Sequence, residues 1–184
     1  MDVTKQLAFS VLGAFKKRKQ RSLRKLNDRI LKEAAINFTK PLFRLAVLSY
    51  VLAKIVQKPR FLQPEHEKQL KAVENALKDA AISIGRVVDS QLLKNFKKVE
   101  TAITSLERKD RRYLIGLVQK GELKTAATLY AQGISLGVAA EMTGMEKQEI
   151  MDYAGDSMMF ERVKEELGIR ERIKMARRFL GGSS

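Results

Sequence analysis

The stretch KTAATLYAQGISLGVAAEMTGMEKQEIMDYA, from Lys124 to Ala154, decides the fold of the C-terminal part of this chain. Small apolar Ala139 and Ala140 fall where two helices have to approach closely. Gly144 follows four residues after Ala140, where a tight turn needs a residue that tolerates positive φ. Ile150 comes six residues after Gly144, placed to plug the angle between the helices. A helix, a short turn containing glycine and a second helix make a helix-turn-helix, and the second helix of such a pair often enters the DNA major groove. Ser135 is placed to cap a helix over Leu136 to Thr143. Gly133 and Gly144 punctuate its two ends. Leu129, Leu136, Val138, Ala139, Met142, Ile150 and Tyr153 then form the core of a three-helix module.

The second helix should expose Glu146, Lys147, Gln148, Glu149, Met151 and Asp152. Gln148 has the chemistry to read adenine, and Lys147 to meet guanine or phosphate. The acids outnumber the lysine on that face, which opposes entry into a groove walled by phosphates. The alternative is a module for docking a protein or for dimerisation, with its charges on a solvated face.

The segment Glu122 to Gly155 resembles a small prokaryotic helix-turn-helix family of antitoxins and regulators of toxin–antitoxin pairs. LYAQGISLGVAAEMTGMEKQEIMDY (Leu129 to Tyr153) carries the resemblance. It covers residues 122–155 alone and not the basic N-terminal region. The resemblance implies a dimeric DNA-binding regulator in the prokaryotic cytoplasm, with a toxin as a candidate partner.

Outward from this segment the chain reads as helix throughout. No segment sustains period-two alternation, and no Asn-Gly or Asp-Gly turn occurs. The fold class expected is all-α, with a basic N-terminal helical region, a C-terminal helix-turn-helix module and a terminal helix. Thr39 is a good N-cap and Pro41 suits the first turn of a helix that runs through the apolar stretch Leu42 to Val56. Apolar residues cover most of that helix, which marks it as central to the core. Pro59 and Pro64 bracket a break. A further helix begins near Pro64 and runs through Leu70, Val73 and Leu77. Helical periodicity resumes over Ile84 to Ile103 after a break near Ser83–Gly85, so that a helical hairpin or an antiparallel dimer would bury both stripes.

The chain has 184 residues and a formal net charge of +15. Residues 1–106 hold 22 Lys/Arg and 9 Asp/Glu, and residues 107–184 hold 14 and 12. The basic field therefore belongs to the N-terminal part, and it implies a polyanionic partner. Its densest stretch holds Lys16, Lys17, Arg18, Lys19, Arg21, Arg24 and Lys25, within one long basic helix or two in series over residues 2–36. Such density favours ordering only on a partner. Three readings follow: an arm along a DNA backbone, a contact with ribosomal RNA, or attachment to an anionic membrane through Leu7, Phe9, Val11, Leu12 and Phe15. Poor aromatic interleaving argues against base stacking and for phosphate contacts.

Charge balance changes at SLERKDRR, which sets the expected domains at 1–108 and 109–180, with a flexible tail over 181–184. Asp110 would cap a short helix from Arg111 to Lys120 that stops at Gly121. A last helical region, Ser157 to Leu180, would kink at Gly168, with Met158, Met159 and Phe160 in a core or dimer interface. There is no cysteine and one histidine, which excludes a disulfide scaffold and any Cys/His zinc site. His66, in PEHEKQ, reads as an exposed histidine beside first-turn acids. The N-terminus is not a secretory signal, because its apolar part precedes its basic part. No phosphate-binding loop, nucleophile elbow or HExxH motif occurs, so neither catalysis, a cofactor nor a metal is expected.

The reading that results is a non-enzymatic, cytoplasmic nucleic-acid-binding protein, a dimeric helix-turn-helix DNA regulator whose basic region supplies affinity. The alternative is a ribosome-associated factor with the basic helices on rRNA and the helix-turn-helix used for docking or dimerisation.

Overall fold

The computed structural model describes residues 3–107 and 116–162. Among these every regular element is helical: α1 (Val3–Lys16), α2 (Gln20–Ile36), α3 (Lys40–Gln57), α4 (Glu67–Ser83), α5 (Asp89–Glu107), α6 (Leu117–Ala131), α7 (Leu136–Thr143), α8 (Lys147–Asp156) and α9 (Met159–Arg162), with 3-10 turns at Pro59–Leu62 and Pro64–His66. The protein is all-α. The expected cap at Asp110, the kink at Gly168 and the tail lie outside the described residues.

The chain forms two compact units. The first comprises residues 1–30 and 39–121, the second residues 31–38 and 122–184. The chain thus passes between the units within α2, at Ile30–Leu31, at Phe38–Thr39, and within α6, at Gly121–Glu122.

In the first unit, α3 is the centre. Thr39 Oγ1 accepts the Leu42 amide at 3.2 Å, and Pro41 occupies the first turn, where no amide hydrogen is needed. Leu42, Phe43, Leu45, Ala46, Val47, Leu48, Val51, Leu52 and Ile55 are buried around nearly its whole circumference. A helix apolar on all sides is stable in water only when neighbours enclose it. Helices α1 and α5 pack on it, α1 also packs on α4, and α4 and α5 form the helical hairpin. Gly85 turns that hairpin at φ 73, a conformation that glycine adopts without steric cost. The stripes Val73, Leu77 and Ala80 on α4 and Leu92, Phe96, Val99 and Ile103 on α5 are buried. The pairing is therefore made within one chain.

Packing revises four expectations. Leu7, Val11, Leu12 and Phe15 are core residues, 0–6% exposed, and of the face assigned to a membrane only Phe9 is exposed. An amphipathic stripe cannot be distinguished from a core stripe by its period. His66 is buried rather than exposed, its ring edge-on to buried Phe61 at 6.3 Å. Its Nε2 lies 3.2 Å from Glu65 Oε1. Gly121 does not end a helix: α6 runs through it. A β-carbon on Gly121 would stand 2.8 Å from Val51 Cγ2 and 3.3 Å from Val47 Cγ1, so the glycine admits α3. Finally, the dense basic run is folded, with Phe15 and Leu23 fully buried on either side of it.

In the second unit, α7 and α8 pack together and α8 contacts α9. Ala126, Ala127, Leu129, Ile134, Ala139, Met142, Ile150 and Ala154 are buried. Met159 is buried, while Met158 and Phe160 are 56% and 55% exposed, Phe160 standing edge-on to Tyr130 at 5.1 Å.

Candidate nucleic-acid interface

The basic run is cut in two by a helix-terminating turn. The Lys19 amide donates to the Ala14 carbonyl and the Arg18 amide to that of Phe15, both at 2.9 Å. This is the paired pattern of a Schellman cap, which requires a left-handed residue, here Arg18 at φ 52. A non-glycine residue in this region carries strain, and Arg18 is held there by its side chain. Its guanidinium donates to the Phe15 carbonyl at 3.0 Å, lies 4.8 Å from the Phe15 ring centroid and pairs with Glu74 at 2.9 Å. Arg18 therefore has a structural role, joining the α1–α2 corner to α4.

The other cations of the run, Lys16, Lys17, Lys19, Arg21, Arg24 and Lys25, are exposed. Arg24 Nη2 donates to Gln57 Oε1 at 3.2 Å. Along α2, Leu23, Asn27 and Ile30 face inward and Arg21, Lys25 and Arg29 outward. Asn27 sets that rotation. Its buried Nδ2 donates to the Ala46 carbonyl at 2.8 Å and to Ser49 Oγ at 3.0 Å, and Ser49 Oγ donates to the same carbonyl. A slip of α2 on α3 would strand these buried polar groups. The cations therefore project from a backbone already fixed by packing, so that little backbone entropy is lost on meeting a ligand.

Two buried carboxylates frame the same unit. Glu100, 3% exposed, lies 3.4 Å from Arg44 Nη1 and 3.0 Å from Lys97 Nζ. Glu107 accepts the Leu117 amide at 2.7 Å and so satisfies the start of α6. Burial raises its pKa, opposed by that hydrogen bond and by Lys58 and Lys120.

Lys147 and Gln148 lie in the second unit. Ser135 Oγ caps α7 by accepting the Val138 amide at 3.3 Å. Gly144 ends α7 at φ 73, ψ 15, its amide donating to Ala140. Ala139 and Ile150 are fully buried, Ala140 is half-buried and Gly144 exposed. The outer face of α8 comprises Glu146, Lys147, Gln148, Glu149, Met151, Asp152 and Asp156, all exposed. Gln148 Nε2 donates to Asp152 Oδ1 at 2.7 Å, which occupies the group that would read a base. Residues 122–162 contain three Lys/Arg and seven Asp/Glu. Burial raises the pKa of Tyr153, half-buried beneath this face.

Arg18, Asn27 and Glu107 owe their roles to partners ten or more residues away, and of these the sequence setting marks only Arg18 as a candidate. Among the described residues no helix is long and apolar enough to cross a membrane, and no cluster of His, Asp and Glu could hold a metal. Comparison with protein-family models, with curated proteins and with solved structures gives no match.

Proposed function

We propose that this chain is a non-enzymatic, cytoplasmic nucleic-acid-binding protein that holds its target by the phosphates, through the cations of the α1–α2 corner. The observation that carries the reading is a set of six exposed cations, Lys16, Lys17, Lys19, Arg21, Arg24 and Lys25, on a corner fixed by Phe15, Leu23 and Asn27. Cations on a rigid frame release condensed counterions from a polyphosphate without a large ordering cost.

In its first form the protein is a dimeric helix-turn-helix DNA regulator, with α7, Gly144 and α8 supplying register. The local chemistry of Ser135, Ala139, Gly144 and Ile150 supports that form, as does the resemblance to antitoxin-like regulators, which makes a toxin a candidate partner. In its second form the corner contacts ribosomal RNA, and α7–α8 docks a protein or a second copy. The acidic outer face of α8 and the engagement of Gln148 favour the second form over groove reading.

Fluorescence anisotropy against labelled duplex DNA and structured RNA, across a salt series, tests the reading. Replacing Lys16, Lys17, Lys19 and Arg21 by Gln should weaken binding and flatten its salt dependence, by about 0.9 in log–log slope per lost contact on duplex DNA. Unchanged affinity and slope would remove the proposal. Lys147→Ala with Gln148→Ala should alter sequence preference only if α8 reads a groove.

A further inference from the structure

The outer face of α8 is exposed among the described residues, and its charge pattern is complementary to that of another surface of the same chain. Glu149, Asp152 and Asp156 recur at i, i+3 and i+7, one carboxylate per turn, all exposed. They span about 10 Å of helix at 1.5 Å per residue. Met151, 43% exposed, flanks this stripe. Gly155 lies between the acids, and a β-carbon there would meet nothing within 4 Å. Glycine in a helix interior costs about 1 kcal/mol relative to alanine and less in a last turn, and no contact among the described residues requires glycine at 155. On this face it leaves room for another backbone to come close.

On α2, Arg21, Lys25 and Arg29 recur at i, i+4 and i+8, one cation per turn, all exposed. That row spans about 12 Å on the same helical rise. The two stripes are similar in length, each with three charges over about two turns, and are opposite in sign, with the exposed Asp28 the one acid beside the cations of α2.

We infer that α8 of one molecule docks on the basic face of α2 in a second copy of this chain. Each contact pairs two different surfaces, acid on α8 with base on α2. A symmetric α8–α8 contact would set acid against acid and α2–α2 base against base. The net charge of +15 does not forbid it, because repulsion between exposed charges is screened beyond about 8 Å at physiological ionic strength. Charges meeting at the interface lie inside that distance. Where the proposed function also holds, α8 occupies the surface that phosphates would take, so nucleic acid and self-association compete.

Sedimentation velocity over a concentration series at low and high salt reads the contact directly. The wild-type chain should associate with rising concentration at low salt and dissociate at high salt. Two variants separate the partners: Glu149→Gln/Asp152→Asn/Asp156→Asn, which keeps an acceptor for Gln148, and Arg21→Gln/Lys25→Gln/Arg29→Gln. Each alone should associate at least about tenfold more weakly, as expected when several exposed ion pairs are lost together. Mixed one to one they should form a two-chain species, because each retains the half that the other lacks. Circular dichroism melting checks that both variants fold.

A wild-type chain that stays monomeric, variants that associate like wild type, or folded variants that fail to complement would each overturn the inference. Adding a 20-base-pair DNA duplex or an RNA hairpin should disperse the wild-type assembly. Association that occurs without any binding of either nucleic acid leaves the docking intact and defeats the proposed function. Binding without association does the reverse.

Discussion

Replacing Gly121 by Ala tests whether α6 is held against α3 by the absence of a side chain. The new methyl would lie 2.8 Å from Val51 Cγ2, 3.3 Å from Val47 Cγ1 and 3.5 Å from Tyr50 Cδ1. Carbon atoms pack best at about 3.5–4.0 Å, so the first contact has to open by roughly an ångström. Val51 is buried, and a β-branched side chain in a helix has one strongly preferred rotamer. Relief must therefore come from a shift of backbone. Overpacking of this kind costs about 1–3 kcal/mol. Alanine returns about 1 kcal/mol of helix propensity. Gly121→Ala should thus destabilise by about 0–2 kcal/mol, where the same change at a glycine with open space around it would stabilise. Urea denaturation followed by circular dichroism measures this. Val51→Ala alone should cost about 2 kcal/mol from lost burial and the cavity left behind. In the double variant the new methyl enters that cavity, so its cost should fall short of the sum by about 1–3 kcal/mol. Additivity within about 0.5 kcal/mol would refute the close approach as the reason for glycine.

Three further outcomes follow from the same packing. Asn27→Ala leaves the Ala46 carbonyl and Ser49 hydroxyl without their buried partner and should cost about 1–3 kcal/mol in the same denaturation assay. Arg18→Gly should be nearly neutral, because glycine accepts the left-handed conformation while an ion pair with Glu74 is lost, whereas Arg18→Val should destabilise clearly on thermal melting. For Glu107 the folded pKa is raised, so the neutral acid suits the folded state better and its contribution to stability is lost as pH rises through that pKa. Glu107→Gln keeps an acceptor for the Leu117 amide and should gain most over wild type near neutral pH. The difference should shrink on acidification, and a gap independent of pH between about 3 and 7 would contradict the assignment.

The sequence by itself determined most of the helices, because their signals are local. The cap at Thr39, the proline in the next turn, the apolar circumference of α3, the break at Ser83–Gly85 and the Ser135–Gly144 bracket of α7 each depend on residues within a turn or two. The outward set on α8 was legible for the same reason: burial of Ile150 and Ala154 fixes which residues face solvent. The distribution of charge along the chain likewise located the basic region, since a count of cations needs no knowledge of contacts.

Only the tertiary structure decided what each stripe faces. The period that marks Leu7, Val11 and Phe15 as one face is the same for a membrane, a dimer or a core, and packing on α3 and α4 selects the core. Gly121 carries the same local signal as a helix stop, and the nearness of Val47 and Val51, far earlier in the chain, makes it a contact point instead. Arg18 looks like one more cation in a run until Glu74 and the left-handed turn give it a fixed place. His66 reads as a surface residue until the 3-10 turn folds it against Phe61. These roles depend on groups brought together by packing, and sequence spacing holds no record of which distant groups a fold brings within a few ångströms.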